Sequence, residues 1–522
     1  MALQFITPYS VRIGVAGAGV MGSGIALAIL LADLPVTLYD VSPQILGRAR
    51  EYIENHLVRK NKGHNLNNLS LSQQLEDFRG AGIVIEAIPE DLGLKRDLFH
   101  RLDTLCPPPA ILATNTSTLA VTSIAAATNH AERVAGMHFF NPAPLMPLVE
   151  VVRGAQTSPD TIRALQALSA KLGKTSVVAA DTPGFIVNRV ARPFYGEALR
   201  LLSDGVATHD QIDLIVHLGG GFRMGPFELM DLIGIDVNLA AMKSMYEQTF
   251  EEPRYRPHPI QVRMVQQNVL GRKTGQGFYQ YNGDERTEPT PPKPHAVGGL
   301  VALTPGSWAN RLGDIVRQVG YTLKSNTSSL SLTPIITVVP ASRREGLKKQ
   351  LEELDNRLPQ YVPILCQCAD VTLTEAATWI EKPERLVGFD GLFFAQGKAA
   401  TLVASPTLTP QMHALVENFV TSLGYLPIWV EDTPGLVLPR IVCMLVNEAA
   451  FTVQEAGATA DQIDLAMRLG VNYPRGPLAW AKEIGYRRVV DVLDHLRAEY
   501  GEDRYRAAYL LRRWARLERV SL

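Results

Sequence analysis

The chain has 522 residues, too many for one hydrophobic core, so several domains are expected. Its 51 lysines and arginines nearly balance 52 acidic residues, and a net charge of -1 excludes a bulk electrostatic pull toward nucleic acid or an anionic membrane. Four cysteines are too few for a disulfide scaffold and suit a reducing, cytoplasmic compartment; Cys366-Gln367-Cys368 lacks a second pair, so no metal site is expected.

Met1 to Tyr9 has neither a basic n-region nor a clear h-region, so no signal peptide is expected. Val11 to Ala16 is a short apolar run ending in glycines and reads as a buried parallel strand. Val20 to Ala32 is apolar on nearly every face and predicts a buried helix. Its most apolar part, Ile25 to Leu31, is far shorter than the ~20 residues of a membrane span. Val36 to Asp40 is a second strand, completing a right-handed βαβ unit. A polar, helical excursion follows from Ser42 to Gly63. Further strands are predicted at Ile83 to Ile88 and Ala110 to Asn115, and then at Val134 to Phe140 and Leu148 to Val152 as the last of the sheet. From Phe185 to about Tyr279 the texture is long amphipathic helices. Residues 282–296, rich in Pro, Thr and charge, read as a linker.

Beyond the linker the chain repeats itself. Asp181-Thr182-Pro183-Gly184 returns as Asp432-Thr433-Pro434-Gly435, and Asp210-Gln211-Ile212-Asp213 as Asp461-Gln462-Ile463-Asp464. Gly225-Pro226 returns as Gly476-Pro477, and Gly234 as Gly485, all at one shift. Such a register marks an internal duplication. The front half of the second copy is α/β-like but eroded. The expected segments are 1–180 and 297–430 as α/β domains, 181–282 and 431–522 as all-α domains, and 283–296 as the linker.

Gly17-Ala18-Gly19-Val20-Met21-Gly22 is a GxGxxG turn between a predicted strand and a predicted helix, answered by Asp40 at the end of the next strand. That context is the one a dinucleotide requires. Gly17 permits the turn, Gly19 lets the backbone approach a pyrophosphate, and Gly22 lets helix and strand pack closely. The helix start offers unpaired N–H groups to the phosphates. Asp40 would bind both ribose hydroxyls and repel a 2′-phosphate, which favours NAD over NADP. The region around Val301 lacks the glycine triplet, so no dinucleotide is expected there.

Five ordered motifs carry a family resemblance: the glycine turn, Ser117 within Thr114-Asn115-Thr116-Ser117-Thr118, Met137-His138-Phe139-Phe140-Asn141-Pro142 followed by Glu150, Asp181 to Arg189, and Gly271 to Tyr279. Residues 10 to 280 resemble the L-3-hydroxyacyl-CoA dehydrogenase family, and the two-copy form is similar to the 3-hydroxybutyryl-CoA and 3-hydroxyadipyl-CoA types of bacterial fatty-acid and aromatic breakdown. The resemblance implies a Rossmann-like α/β domain plus an all-α domain, tandemly duplicated with a degenerate second copy. It implies NAD as cofactor and a 3-hydroxyacyl-CoA substrate. It also implies that Glu90 and Lys95 line the nicotinamide side, that Lys273 contacts the cofactor, and that Lys62, beside Arg59 and Lys60, meets coenzyme A phosphates.

The chemistry asks for the same residue types independently. Oxidising a secondary alcohol needs a base that titrates near neutrality, and His138 is the candidate. A carboxylate beside it would fix its tautomer; Glu150, twelve residues on past a proline turn, can return on the next strand. Ser117, past a strand's carboxyl end, can bond the substrate oxygen, and Asn188 a substrate carbonyl. In the second copy His138 falls on Asp390 or Leu392, Glu150 near Leu402, Ser117 on Ala369 or Asp370, and Asn188 on Pro439. Two rivals stay open: an NADH-sensing or structural protein without turnover, and a hydroxy-acid dehydrogenase with a lysine base. The expected partners are a separate enoyl-CoA hydratase and either a homo-oligomer or an internal pseudo-dimer of the helical domains. No nucleic-acid or membrane partner is expected.

Overall fold

A computed structural model describes residues 12–281, 288–306, 309–324, 334–340, 343–394 and 396–518. The stretch read for a leader and the first residues of the linker lie outside these. Short apolar runs become two mixed sheets because strands buried on both faces can carry no exposed polar row. The first sheet holds β1 (Ile13–Ala16), β2 (Val36–Tyr39), β3 (Leu69–Ser72), β4 (Ile83–Glu86), β5 (Ile111–Thr114), β6 (Val134–Phe139), β7 (Leu148–Arg153) and β8 (Thr175–Ala180), in the order β3-β2-β1-β4-β5-β6-β7-β8. Only β6 and β7 pair antiparallel. The helix Val20–Leu31 is buried along most of its length and packs in the main core with Ile13, Val36 and Ile53.

Two of these strands escaped the sequence reading. β3 is a four-residue edge strand whose Leu-Ser-Leu-Ser pattern is mostly half-buried. β8 follows the helix Pro159–Lys171 and pairs parallel to β7, so the sheet extends one strand past Arg153. The polar excursion is the helix Pro43–Arg59, capped by Ser42, which accepts from the Ile45 N–H.

The second sheet holds β9 (Leu300–Leu303), β10 (Thr322–Lys324), β11 (Ile336–Val339), β12 (Ile364–Gln367), β13 (Leu386–Phe389), β14 (Ala399–Ala404) and β15 (Leu426–Trp429), in the order β10-β9-β11-β12-β13-β14-β15. It keeps the first sheet's one antiparallel pair, here β13 with β14. Structural details recur as well. The buried pair Arg133–Asp103, at 2.6 Å, returns as Arg385–Asp355, at 2.5 Å. Asp181 accepts the N–H groups of Val121 and Thr122, and Asp432 those of Leu373 and Thr374. Capping boxes at Thr208/Gln211 and Thr459/Gln462 start matching helices. Gly234 and Gly485 each end a helix at φ near +100°, a conformation that favours glycine.

The chain forms two compact units. One runs to Val190 and takes in Thr452–Asn472; the other comprises Ala191–Phe451 and Tyr473–Leu522. In the first, the helix Ala460–Gly470 of the second copy lies on β7 and on the short helix Val187–Val190. In the second, the turn Ile215–Gly219 of the first copy lies on β14, where Leu218 O accepts the Lys398 N–H at 2.6 Å. Also within the second unit, Arg440 is fully buried and donates to Glu197 at 2.8 Å, to Tyr500 and to Tyr505. Glu448 in turn accepts from Tyr255 at 2.5 Å and from Arg254 at 2.8 Å. Among the described residues, no helix is long and apolar enough to cross a membrane, and no cluster of His, Cys, Asp and Glu could hold a metal ion.

Candidate active site

The glycine turn leaves β1 and opens the helix Val20–Leu31. Gly17 has φ +102°, and a Cβ there would stand 2.5 Å from Ala87 O; at Gly22 it would stand 1.8 Å from Gly17 O. Both positions exclude a side chain. Gly19 is different. Nothing lies within 4 Å of where its Cβ would be, no side chain caps the helix there, and its first turn holds no acidic residue. Open space in front of free helical N–H groups fits a pyrophosphate. Asp40 sits just past β2, its Oδ2 accepting the Ala18 N–H and its Oδ1 the Ser42 N–H, each at 2.9 Å. The loop and its carboxylate are thus one hydrogen-bonded unit of the shape a dinucleotide fits.

The antiparallel ladder sets His138 of β6 directly opposite Glu150 of β7. Nδ1 lies 2.7 Å from Glu150 Oε2, and both side chains are buried. The other carboxylate oxygen, Oε1, accepts the Ile186 N–H at 3.1 Å and the Val187 N–H at 2.9 Å. Glu150 therefore ties the imidazole to the start of the helix Val187–Val190, which carries Asn188. The preceding Phe185 has φ +49°, a left-handed backbone uncommon for a bulky residue. Its ring and that of Phe140 flank the imidazole, with centroids 5.8 and 4.6 Å away. With Nδ1 engaged, Nε2 is the nitrogen left to meet a substrate proton. Asn115, past β5, accepts the Phe139 N–H at 2.8 Å and pins the strand beside the histidine.

Ser117 lies on the loop after β5, and that loop is gathered by Glu90. Glu90 Oε1 accepts the Thr116 hydroxyl at 2.6 Å, the Ser117 and Thr118 N–H groups, and the Thr118 hydroxyl. Burial works to raise the Glu90 carboxyl, but the Lys95 ammonium and these donors outweigh it and hold it at about 2. Lys95 is buried between Glu86, at 2.6 Å, and Glu90, at 3.1 Å. Glu86 also accepts from Thr114 Oγ1 and the Ile88 N–H. Burial pushes Glu86 above the ordinary carboxylate range, against the pull of Lys95. Glu86, Asn115 and Thr116 were not singled out from the sequence. A glutamate closing the apolar run Ile83-Val84-Ile85 was the one available signal.

Two further sequence-predicted residues, Lys62 and Lys273, are paired with aspartates. Lys62 donates to Leu31 O and pairs with Asp33, both at 2.9 Å. It stands at the far end of the 12-residue helix Val20–Leu31 from the glycine turn, a length of about 18 Å. Lys273 belongs to the other unit, where its ammonium is paired with Asp236 at 2.5 Å.

At the matching place in the second sheet, Phe389 stands opposite Leu402, and the Asp390 N–H donates to Thr401 O. Asp390 and Thr401 thus occupy the positions of His138 and Glu150, one residue from the Leu402 expected from the sequence. Asp390 is buried and accepts the Leu392 and Phe393 N–H groups. Burial outweighs those donors and pushes its carboxyl up to about 7.

Residues 12–182 match the family model described as 3-hydroxyacyl-CoA dehydrogenase, NAD binding domain. Residues 184–281 and 435–521 both match 3-hydroxyacyl-CoA dehydrogenase, C-terminal domain. The chain is 36% identical to the 3-hydroxyadipyl-CoA dehydrogenase of Escherichia coli (strain K12), over 97% of this chain and 98% of that one. It is 44% identical to a probable 3-hydroxybutyryl-CoA dehydrogenase of Bacillus subtilis (strain 168), over 53% of this chain and 98% of the relative. A crystal structure of 3-hydroxybutyryl-CoA dehydrogenase from Escherichia coli K12 matches with a TM-score of 0.82 at 33% identity, covering 98% of this chain and 99% of that one. The chain belongs to the 3-hydroxyacyl-CoA dehydrogenase family, NAD-dependent oxidoreductases that act on a CH–OH group.

Proposed function

We propose that the chain oxidises (S)-3-hydroxyacyl-CoA to 3-oxoacyl-CoA reversibly, with His138 as the base. The observation that carries this reading is the buried 2.7 Å contact between His138 Nδ1 and Glu150 Oε2. Glu150 fixes the tautomer and stabilises the imidazolium, so Nε2 accepts the hydroxyl proton as the C–H bond breaks. NAD, when bound, supplies the hydride acceptor. Ser117 hydrogen-bonds the substrate oxygen and Asn188 the thioester carbonyl. Gly17, Gly19, Gly22 and Asp40 hold the cofactor, and Glu90 with Lys95 braces the loop that faces its nicotinamide end. Lys273 contacts the cofactor and Lys62 meets the phosphates of coenzyme A.

The second copy is degenerate in this reading. Asp390 and Thr401 offer no base couple, and Pro439 replaces Asn188. The domain boundaries are 1–180, 181–282, 297–430 and 431–522, and the two helical domains form an internal pseudo-dimer. The reciprocal contacts of Glu197 and Glu448 support that pairing. The enzyme works in the cytoplasm, in fatty-acid or phenylacetate-type aromatic breakdown, with hydration of the enoyl-CoA left to a separate enzyme.

The test is turnover of acetoacetyl-CoA with NADH. His138→Gln should lower it by several orders of magnitude while NADH still binds, and an unchanged rate would refute the assignment. A panel of short, long and dicarboxylic 3-oxoacyl-CoA substrates then fixes the acyl specificity.

A further inference from the structure

The carboxylate that orients His138 is held at its other oxygen by the N–H groups of Ile186 and Val187. Val187 opens the short helix Val187–Val190, which is followed after Ala191 by the helix Arg192–Ser203. Part of what packs on the short helix comes from the second copy. The helix Ala460–Gly470 lies on β7 and on Val187–Val190, and the contact at Gly470 leaves no room. A Cβ there would stand 2.8 Å from Leu148 Cδ2 and 3.0 Å from Val187 Cγ2. Leu148 lies two residues before Glu150 on β7, and Val187 supplies one of the N–H groups on Glu150 Oε1. Its β-branched side chain has little rotamer freedom with which to yield. Arg189, in the same short helix, pairs with Glu455 of the second copy. At Gly219, the glycine that matches Gly470, a Cβ would stand 3.5 Å from Leu438 Cδ2 and 4.0 Å from Ala399 O, although Gly397, just before β14 of the second sheet, comes close to Gly219 O on another side.

We propose that the second copy acts in catalysis by position, the Glu455 to Gly470 segment pressing Val187 and Leu148 into the geometry that aims Glu150 at His138. Gly470 is a positioning residue in this scheme, and the proposal rests on the His138–Glu150 reading. A small displacement of a catalytic group costs rate rather than affinity.

The experiment uses the full-length chain, with acetoacetyl-CoA and NADH as substrates. Gly470→Ala should lower kcat by about tenfold, with KM for acetoacetyl-CoA, Kd for NADH and melting temperature near wild type. Adding Leu148→Val, which removes the nearest clashing methyl, should recover most of that loss. Gly219→Ala should leave kcat unchanged. An unaltered kcat in folded Gly470→Ala, a loss that Leu148→Val fails to rescue, or an equal loss in Gly219→Ala would overturn the proposal. If Gly470→Ala does not fold, Glu455→Gln decides: a drop in kcat alone supports the proposal, and no change overturns it. His138→Gln, measured alongside, separates the two readings. If it keeps wild-type turnover the base assignment fails; if it is inactive while Gly470→Ala is not, only the positioning role fails.

Discussion

The hydroxyl of Tyr505 donates to the carboxylate of Glu197, 3.1 Å away, and so joins the end of the second copy to the helix Arg192–Ser203 of the first. Tyr255 and Glu448 make the same bond in the opposite sense. Burial disfavours the Arg440 cation, but Glu197, Tyr505 and Tyr500 hold it charged. Replacing Glu197 by Ala would strand that cation in the interior. The expected cost is about 3–5 kcal/mol of unfolding free energy, read by denaturant titration. A loss below about 1 kcal/mol would mean that water reaches Arg440.

His138→Gln keeps a hydrogen-bonding side chain but no base. Turnover should fall by about 10²–10⁴-fold, the span assigned to general acid–base catalysis. NADH binding, followed by its fluorescence, should stay within a factor of two of wild type (about 0.4 kcal/mol).

Asp390 makes stability depend on pH in an unusual direction. Its folded carboxyl lies at about 7, above the roughly 3.9 of an exposed aspartate. The folded state therefore binds more protons than the unfolded state between those values. Stability contributed by the protonated form is present at low pH and is lost as pH rises through about 7. Asp390→Asn removes the charge and keeps an acceptor for the Leu392 and Phe393 N–H groups. It should raise stability by a few kcal/mol at pH 8 and change it little at pH 4. Equal melting shifts at both pH values would contradict this.

Asp40→Ser should weaken NAD and narrow the preference against NADP. Losing one charged ribose contact and one repulsion is worth about 10–100-fold in the ratio of kcat/KM values. An unchanged ratio would remove Asp40 from cofactor selection.

Residues 1–282 expressed alone would lose both the helix Ala460–Gly470 and the Glu448 partner of Arg254 and Tyr255. Light scattering should find aggregates or a self-associated dimer. A soluble monomer of undiminished stability would count against the internal pairing.

The glycine turn was legible in the sequence because strand, GxGxxG, helix and Asp40 follow in one continuous stretch. His138 and Glu150 were legible because a twelve-residue separation across a proline turn returns a strand beside its neighbour. β3 and β8 were not, since Leu69-Ser70-Leu71-Ser72 and Thr175 to Ala180 lack the continuous apolar runs that marked the central strands. The Glu86–Lys95–Glu90 chain was hidden for a different reason. Its members come from a strand, a helix and a loop that meet only after folding. The repeat revealed two copies, but no pattern of identities could show that Gly470 packs on Leu148 and Val187 while Gly219 packs on Leu438 and Ala399.

That exchange of helices has a consequence for how the protein behaves in a dilute cell. Two separate chains sharing such contacts would part as their concentration fell, and activity would fade with them. Here the covalent link fixes the ratio at one to one and keeps the neighbour at a high local concentration, whatever the expression level. The second half is then free to lose its own chemistry, but not the shape of the surface it presents.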